Sequence, residues 1–220
     1  MDSESVLSHR SWPARIYLWA CDRLYGELAG VYDPVSWLVS LGGWDEWRRL
    51  ALADAHGRVL ELGYGTGALL ATMAGAGQAV VGLELSPAMQ RVAAQRFARD
   101  DVHPAQVRAR AEQMPLATGS FDTVIATFPA PYVLASATLS ECRRVLRPGG
   151  SLVVVGLWVR APRPSLLQLA PFFYGAPSAQ QNARVLDHFA QAGFHAHLTW
   201  RATPRGKVAI VIATLSAVQP

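Results

Sequence analysis

The sequence predicts an α/β fold with a doubly wound, mostly parallel sheet of seven strands. Two observations carry this prediction. From residue 58 onward, short apolar runs alternate with segments of helical periodicity, and a glycine-rich turn directly follows the first run. Such alternation produces βαβ units, in which helices cover both faces of a parallel sheet. Two further apolar runs near the C-terminus are joined by the turn sequence PRG and predict an antiparallel C-terminal strand.

The predicted elements follow one another without an internal repeat. The strands are predicted in RVLEL, AVVGLEL, AQVRARA, FDTVIATF, SLVVVGLW, HAHLTWRAT and KVAIVIATL. The helices are predicted in GALLATMAGAG, SPAMQRVAAQRFARD, ATLSECRRVL and residues 179–194. Ser86 is a good N-cap residue. Pro87 suits the first helical position, because the N–H that proline lacks has no partner in the first turn of a helix. The second helix is therefore predicted to begin at Pro87. RPGG is expected to stop the third helix before the fifth strand.

The composition indicates a globular chain with a substantial core, because 51% of its residues are hydrophobic and 16% are charged. The net charge of +4 and the pI near 9.4 invite comparison with nucleic-acid-binding proteins. However, nineteen of the twenty basic residues are arginines scattered in ones and twos, and the other is Lys207. Without a block of five or more like charges, we expect a solvated, arginine-rich surface and no nucleic-acid partner.

Several classes of protein are disfavoured. The longest apolar runs, SLVVVGLW and VAIVIATL, are far shorter than the ~20 residues that span a bilayer, so no integral membrane segment is expected. Charged residues interrupt the N-terminal region, which disfavours a signal peptide, and a cytoplasmic location is expected. Cys21 and Cys142 are too few for a disulfide framework, and no cluster of residues is typical of a metal site.

Two regions fall outside the alternating pattern. Residues 1–57 hold five of the seven tryptophans and predict an N-terminal helical lid. Residues 159–178 contain four prolines and an apolar cluster, and we expect this insert near a substrate pocket. The predicted organisation is therefore a lid over residues 1–57 and a ligand-binding domain over residues 58–220.

The turn in RVLELGYGTGALL predicts a ligand site at the edge of the sheet. Gly63, Gly65 and Gly67 permit positive φ values and let a ligand approach the backbone, while the following helix offers unpaired N–H groups. Ligands of doubly wound sheets bind at such strand ends. Because Glu84 follows Gly63 by 21 residues, the segment also fits the loose pattern of nicotinamide and flavin dinucleotide sites.

Glu61 distinguishes a dinucleotide from a cationic ligand. It precedes the first glycine by two residues, so its carboxylate is expected beside the bound molecule. There it would repel a pyrophosphate and attract a positive group. S-Adenosylmethionine carries an ammonium, a sulfonium and a ribose, and it therefore suits both Glu61 and Glu84.

Four segments resemble the motifs of class I S-adenosylmethionine-dependent methyltransferases, in the usual order and at the usual spacings. They are VLELGYGTG, VVGLELSPAMQRVAAQR, RAEQMPLATGSFDTVIATF and RVLRPGGSLVVVG. The chain most resembles the group that includes the ubiquinone and menaquinone biosynthesis methyltransferases. The resemblance extends over about residues 58–156 and implies a Rossmann-like fold, S-adenosylmethionine as cofactor and a methyltransferase domain over residues 58–220.

The resemblance also implies where the cofactor binds. The residues that match the family's cofactor site are Tyr32, Glu61, Gly63, Tyr64, Gly65, Gly67, Glu84, Leu85, Met89, Ala111, Glu112, Thr127 and Phe128. One position departs from the family, because the acid that usually precedes Ala111 is Arg110, which cannot accept a hydrogen bond from the adenine amino group. Either Glu112 or backbone carbonyls take over this contact, or apolar residues such as Leu85 and Met114 hold the adenine.

The methyl acceptor is predicted only by class. In the resembling family, the segment after the fourth strand lies beside the transferred methyl, and here FPAPY supplies an apolar wall with Pro129 and Tyr132 as substrate-binding residues. We therefore expect a small apolar or aromatic substrate. No catalytic residue is assigned, because no histidine has an obvious acidic partner and in-line methyl transfer requires a general base only for some acceptors. The oligomeric state is not predicted.

Three alternatives stay open beside a small-molecule methyltransferase. A nicotinamide-dependent oxidoreductase would use the same glycine turn, although Glu61 and the RPGG segment disfavour it. A non-catalytic S-adenosylmethionine-binding module is compatible with Arg110 and with the lack of a general base. A nucleic-acid methyltransferase is disfavoured, because APY at residues 130–132 lacks the polar first residue and the double proline typical of the amino-methylating enzymes.

Overall fold

The computed structural model describes residues 29–40, 42–129, 131–160 and 177–217. Its strands are β1 (Val59–Leu62), β2 (Val80–Leu83), β3 (Ala105–Val107), β4 (Phe121–Thr127), β5 (Leu146–Arg160), β6 (His195–Thr203) and β7 (Gly206–Thr214). They form one seven-stranded sheet in the order β3-β2-β1-β4-β5-β7-β6. Strands β1 to β5 run parallel to one another, and β7 runs antiparallel to both β5 and β6. The predicted sheet with its antiparallel C-terminal strand is confirmed.

Six α-helices accompany the sheet in the described part of the chain. They are α1 (Tyr32–Ser40), α2 (Trp44–Arg49), α3 (Ala68–Gly75), α4 (Pro87–Arg99), α5 (Ser136–Val145) and α6 (Ala179–Gln191). Helix α4 begins as predicted, because the Ser86 hydroxyl accepts a hydrogen bond from the Met89 N–H at 3.2 Å and Pro87 occupies the first helical position. Helix α6 begins with a reciprocal capping box between Ser178 and Gln181.

Both faces of the sheet are buried, and the alternation along β1 shows which helices each face contacts. Leu60 belongs to a cluster that includes Phe189 of α6. Val59 belongs to the cluster on the other face, which includes Trp47 of α2. Because side chains alternate along a strand, Glu61 lies on the same face as Val59, toward α2 and α3.

Strand β5 is longer than predicted, because it begins at Leu146 and not at Ser151. On the β4 side, Leu146 pairs with Phe121 and Ser151 pairs with Thr123. Residues 147–150 therefore form a bulge between these two pairs. Beside β7, the Gly150 carbonyl accepts a hydrogen bond from the Leu215 N–H at 2.9 Å. The RPGG segment therefore ends α5 as predicted and also forms the first part of the strand.

Strand β3 is shorter than predicted and covers Ala105–Val107 rather than residues 105–111. The Val107 carbonyl accepts a hydrogen bond from the Glu84 N–H at 3.1 Å, just beyond the end of β2. Residues 108–112 follow outside the strand and border the cleft described below. The sequence AQVRARA thus supplies a short edge strand and then one rim of the site.

In the N-terminal region, residues 42–57 pack on the sheet. Trp47 is fully buried, and its indole N–H donates to the Thr203 hydroxyl of β6 at 3.2 Å. The Arg201 guanidinium of β6 donates to the Asp54 carboxylate at 2.8 Å. These contacts attach α2 and the turn after it to the C-terminal hairpin.

Parts of two predicted regions lie outside the described residues, namely residues 1–28 and 41 of the lid and residues 161–176 of the insert. Within the described ranges, no helix is long and apolar enough to cross a bilayer. The same ranges contain no group of three or more His, Cys, Asp or Glu side chains placed to hold a metal ion.

Candidate functional site

A cleft of about 690 Å³ opens at the carboxyl ends of β1, β2 and β4, where the sequence predicts the ligand site. Helices α1 and α2 contribute to one side of it, and residues 108–112 form another. Its lining comprises Tyr32, Trp44, Arg48, Glu61, Gly63, Tyr64, Gly65, Thr66, Ala68, Leu69, Leu83, Glu84, Leu85, Ser86, Pro87, Arg108, Ala109, Arg110, Ala111, Glu112, Thr127, Phe128, Pro129 and Tyr132.

The glycine turn requires glycine because of both its backbone and its neighbours. The φ values are 62° at Gly63, 55° at Gly65 and 75° at Gly67, a region that other residues rarely adopt. A Cβ at Gly63 would collide with the Tyr132 hydroxyl, whereas a Cβ at Gly67 would lie 2.6 Å from the Phe97 ring of α4. The turn therefore lies against Tyr132 on the cleft side and packs tightly on α4 on the other.

Glu61 is a buried carboxylate with one unsatisfied oxygen. It is 2% exposed, and its Oε2 has no hydrogen-bond partner among the described residues. Burial raises the pKa of Glu61 to about 8, while the positive charge of Arg48 lowers this pKa and the negative charge of Glu84 raises it. A buried polar atom without a partner is costly. The geometry therefore suits a ligand that brings a positively charged donor to Oε2.

Glu84 directly follows β2. In contrast to Glu61, both of its carboxylate oxygens accept hydrogen bonds. Its Oε2 accepts from the Gly65 N–H at 3.0 Å, and its Oε1 accepts from the Ser86 N–H at 2.7 Å. Glu84 thus holds the glycine turn and the start of α4 together. Each carboxylate oxygen retains a further acceptor position, which suits the hydroxyl groups of a neutral sugar.

Tyr64 supports the glycine turn through contacts with β2 and β3. Its hydroxyl donates to the Gln106 side chain of β3 at 2.9 Å. Its ring packs against Gly82 of β2, where a Cβ would lie 2.5 Å from the ring. Burial, together with the charges of Glu84 and Glu61, raises the pKa of Tyr64, so its hydroxyl stays protonated and keeps this hydrogen bond.

Helix α2 brings two residues to the cleft that sequence reasoning missed, Trp44 and Arg48. Their spacing of four residues places them on one side of the helix, which was the available signal in the sequence. The Arg48 guanidinium is mostly buried and donates to the Asp45 carboxylate at 2.9 Å from Nε. Because its charge also acts on Glu61, the cleft places a cation near an ionisable carboxyl group.

Phe128 and Trp44 form an apolar wall of the cleft. Their rings are stacked, with centroids 4.0 Å apart and an interplanar angle of 25°. Phe128 has a φ of 47°, a strained value for a residue with a side chain, and its N–H donates to the Val155 carbonyl at 2.7 Å. A Cβ at Gly156 would collide with the Phe128 ring, so glycine at that position makes room for the wall.

Tyr132 adds one phenol to this otherwise apolar region. Its hydroxyl lies against Gly63, as the collision with an added Cβ shows. Burial and then the negative charge of Glu84 raise the pKa of Tyr132. The phenol therefore stays protonated near neutral pH and is available as a hydrogen-bond donor.

The rim near residue 110 contains the position that departs from the resembling family. Arg110 and Glu112 are both exposed, on either side of buried Ala111, and all three line the cleft. Of the two apolar residues considered for adenine, Leu85 lines the cleft and is 47% exposed, whereas Met114 is buried in the core. Leu85 is thus accessible to a ligand and Met114 is not.

The structure brings most of the predicted site residues together. Those in the cleft are Tyr32, Glu61, Gly63, Tyr64, Gly65, Glu84, Leu85, Ala111, Glu112, Thr127, Phe128, Pro129 and Tyr132. Gly67 and Met89 do not line it, because Gly67 packs on α4 and Met89 is fully buried. Lining residues that were not predicted are Trp44, Arg48, Thr66, Ala68, Leu69, Leu83, Ser86, Pro87, Arg108 and Ala109.

Residues 60–154 match the family model of the methyltransferase domain. A demethylmenaquinone methyltransferase from Clavibacter sepedonicus is 32% identical over 165 residues, which cover 66% of this chain and 67% of that protein. A demethylmenaquinone methyltransferase from Beutenbergia cavernae is 42% identical over 137 residues, which cover 60% of this chain and 55% of that protein. The chain thus spans between about half and two thirds of these relatives.

Solved structures share the fold at lower sequence identity. A SAM dependent methyltransferase from Aquifex aeolicus matches with a TM-score of 0.56 and 17% identity, over 79% of this chain and 92% of that chain. At this identity the likeness concerns the fold alone, and it agrees with the strand order and directions described above.

Proposed function

Because the chain belongs to the family of S-adenosylmethionine-dependent methyltransferases, we propose that it transfers a methyl group from S-adenosylmethionine to a small apolar or aromatic molecule. The family and its cofactor are those that the glycine turn and the three following motifs predict. The observation that carries the proposal is the unpaired Oε2 of buried Glu61. A cationic head group would satisfy this oxygen and stabilise the ionised carboxylate, whereas a pyrophosphate would be repelled by that ionised form.

The polar groups of the cleft fit the cofactor in three places. Glu61 would accept hydrogen bonds from the ammonium group, and Arg48 would pair with the carboxylate of the same head group. Glu84 would accept from the ribose hydroxyls while it keeps the N–H groups of Gly65 and Ser86. The opposite charges of Glu61 and Arg48 match a zwitterion, which gives a functional reason for burying a carboxylate there.

S-Adenosylmethionine supplies a methyl group that its sulfonium already activates for in-line displacement. The residues of this chain therefore act mainly by orienting the acceptor and excluding water. Trp44 and Phe128 present a stacked apolar surface, and Tyr132 offers a protonated phenol that can fix one polar group of the acceptor. No histidine lines the cleft within the described ranges, and we assign no general base.

The apolar wall supports the proposed class of acceptor. Trp44, Phe128 and Pro129 offer no charged group, and their apolar side chains suit a lipophilic acceptor. The relatives from Clavibacter sepedonicus and Beutenbergia cavernae are named as demethylmenaquinone methyltransferases. A quinone precursor or another lipophilic aromatic compound is therefore the acceptor that we propose.

The domain organisation and location belong to the same proposal. We propose a lid over residues 1–57, a methyltransferase domain over residues 58–220 and a substrate-side insert over residues 159–178. The described residues of the lid support it, because Tyr32 of α1 and Trp44 of α2 line the cleft. We further propose a cytoplasmic protein with a small-molecule substrate and no nucleic-acid partner.

Titration calorimetry with S-adenosylmethionine, S-adenosylhomocysteine and NADH tests the cofactor assignment. We expect both adenosyl compounds to bind and NADH to give no signal. Binding of NADH alone would contradict the proposal and favour an oxidoreductase. The comparison is informative because all three ligands share an adenosine and only NADH carries a pyrophosphate.

Methyl transfer is then measured with methyl-labelled S-adenosylmethionine and a panel of lipophilic quinols and phenols. Water-soluble amines of similar size serve as the matched control acceptors. Label on an aromatic acceptor supports the proposal. A cofactor that binds with ordinary affinity but transfers no label to any acceptor favours the non-catalytic binding module.

A further inference from the structure

A closed ring of contacts among three residues joins α1, the glycine turn and α4. Arg96 of α4 forms an ion pair with the Asp33 carboxylate of α1. The Arg96 Nε donates to the Thr66 carbonyl at 2.9 Å, and the Thr66 hydroxyl donates to Asp33 Oδ1 at 2.8 Å. Each member contacts the other two, so a movement of one disturbs both remaining contacts.

Two members of this ring are directly connected to the cofactor cleft. Asp33 follows Tyr32, which lines the cleft from α1. Thr66 belongs to the glycine turn, lines the cleft itself and is almost fully buried. Arg96 is not part of the cleft lining in the described chain, and its hydrogen bonds connect it to the site through Asp33 and Thr66.

We propose that Arg96 is a positioning residue that couples the placement of Tyr32 over the cleft to the conformation of the glycine turn. The inference rests on the proposed function, because the ligand that reports it is the cofactor or its product. A ligand that holds the turn in place also holds Thr66, and Arg96 transmits this restraint to Asp33. Helix α1 and Tyr32 are then retained over the bound ligand.

The geometry of Arg96 differs from that of an ordinary surface ion pair, which contributes little. Its side chain is 21% exposed, and one of its two bonds goes to a backbone carbonyl of a turn that is held at positive φ. Arg99, three residues further along α4, is 68% exposed and pairs with its neighbour Asp100. The planar guanidinium can donate from two fixed positions at once, which a lysine ammonium does poorly.

The test is a double-mutant cycle on the affinity for S-adenosylhomocysteine, measured by titration calorimetry. We expect Arg96→Gln and Tyr32→Ala each to weaken binding about tenfold. The double variant should also be weakened about tenfold rather than a hundredfold, because both changes release the same restraint. Arg99→Gln removes the same charge from the same helix and should leave the affinity within about twofold of wild type.

If the double variant binds S-adenosylhomocysteine about a hundredfold more weakly than the wild type, the two losses of affinity are additive. This result overturns the inference, because Arg96 then acts independently of Tyr32. An Arg96→Gln variant that binds like the wild type overturns it as well. A lower melting temperature with additive losses indicates a purely structural role. If Arg96→Gln fails to fold, Arg96→Lys enters the same cycle with Tyr32→Ala, and the same criterion of additivity applies.

Failure of the proposed function gives a different result. A wild-type protein that does not bind S-adenosylhomocysteine contradicts the cofactor assignment, and the inference about Arg96 falls with it. A wild-type protein that binds, combined with additive variants, contradicts only the coupling. Thr66→Val provides an independent arm, because it removes the hydroxyl bond to Asp33 and keeps the carbonyl that Arg96 contacts.

Discussion

The carboxyl ends of β1 and β2 each present one glutamate to the same cleft, and the two side chains differ in their hydrogen bonds. Glu84 at the end of β2 accepts from two backbone N–H groups, at 3.0 and 2.7 Å. Glu61 in β1 is more deeply buried, yet its Oε2 has no partner among the described residues. Glu84 is therefore part of the framework of the site, whereas Glu61 is left for a ligand.

The difference arises from the local course of the chain. Glu84 stands where β2 turns into α4, so the Ser86 N–H lies two residues away and the glycine turn brings the Gly65 N–H beside it. Glu61 is still within β1, where the backbone groups serve the ladder and the side chain points toward α2. A partner for Glu61 must therefore come from another side chain or from a bound molecule.

The largest expected effect concerns the stability of the ligand-free protein. Burial raises the pKa of Glu61 from 4.5 to about 8, so the folded state holds this proton more tightly than the unfolded state. The resulting stability is present below pH 4.5 and is lost as the pH rises through 8. Between pH 5 and pH 9 we expect a loss on the order of 4 kcal/mol from this group alone.

Glu61→Gln isolates this contribution, because glutamine has nearly the same shape and no proton to lose. We expect its free energy of unfolding, measured by urea denaturation, to vary less between pH 5 and pH 9 than that of the wild type. Glu84→Gln serves as the comparison from the neighbouring strand. Equal pH profiles for the wild type and Glu61→Gln would show that Glu61 has an ordinary carboxylate environment.

The second effect concerns the affinity for S-adenosylmethionine. Glu61→Gln removes one partner of a buried charge pair, which costs about 2–5 kcal/mol, or at least about 30-fold in affinity. Titration calorimetry at pH 8 measures it. Glu141→Gln is the matched control, because Glu141 is a partly buried glutamate that pairs with Arg144 away from the cleft lining. If Glu61→Gln binds as tightly as the control, the ammonium group of the cofactor does not bind at Glu61.

The same pair of glutamates shows how far the sequence predicts the site. The glycine turn and the spacing to Glu84 are local features, so the residues next to them could be identified from the motif. Gly67 and Met89 belong to the same segments, but Gly67 packs against α4 and the Met89 side chain of α4 is fully buried, so neither lines the cleft. A motif thus identifies a segment, whereas the direction of each side chain depends on how the segment packs.

Trp44 and Arg48 show why the rest of the site could not be predicted. They precede β1 in the chain, and they reach the cleft because Trp47 is anchored against β6 and Trp44 stacks on Phe128. Contacts between residues so distant in sequence depend on tertiary packing. The early start of β5 has a similar cause, because Leu146 pairs with Phe121 of β4 and the Gly150 carbonyl accepts from the Leu215 N–H just beyond β7. These contacts extend the strand through two glycines and a proline, which usually end one.

The third effect is smaller and concerns Glu84. Glu84→Gln keeps one carbonyl acceptor but places an NH₂ group against one of the two backbone N–H groups. We expect the affinity for S-adenosylmethionine to fall by at least about tenfold, because a hydrogen bond to a charged acceptor is worth about 1.5–3 kcal/mol. The thermal stability should fall as well, since the Gly65 and Ser86 contacts support the ligand-free protein. If Glu84→Gln loses more affinity than Glu61→Gln under the same conditions, Glu84 and not Glu61 is the more important contact for the ligand.

The smallest effect concerns Arg110, which stands where the resembling family has an acid. Its side chain is exposed at the rim, so Arg110→Ala should change the affinity for S-adenosylhomocysteine by no more than about twofold. Arg110→Asp should raise this affinity about fivefold, because a carboxylate can accept from the adenine amino group and one such bond contributes about 1 kcal/mol. Gln113→Glu adds a negative charge to the same loop outside the cleft lining and controls for long-range attraction. If Gln113→Glu strengthens binding as much as Arg110→Asp, the gain is electrostatic, and the adenine contact lies with Glu112, Leu85 or the backbone.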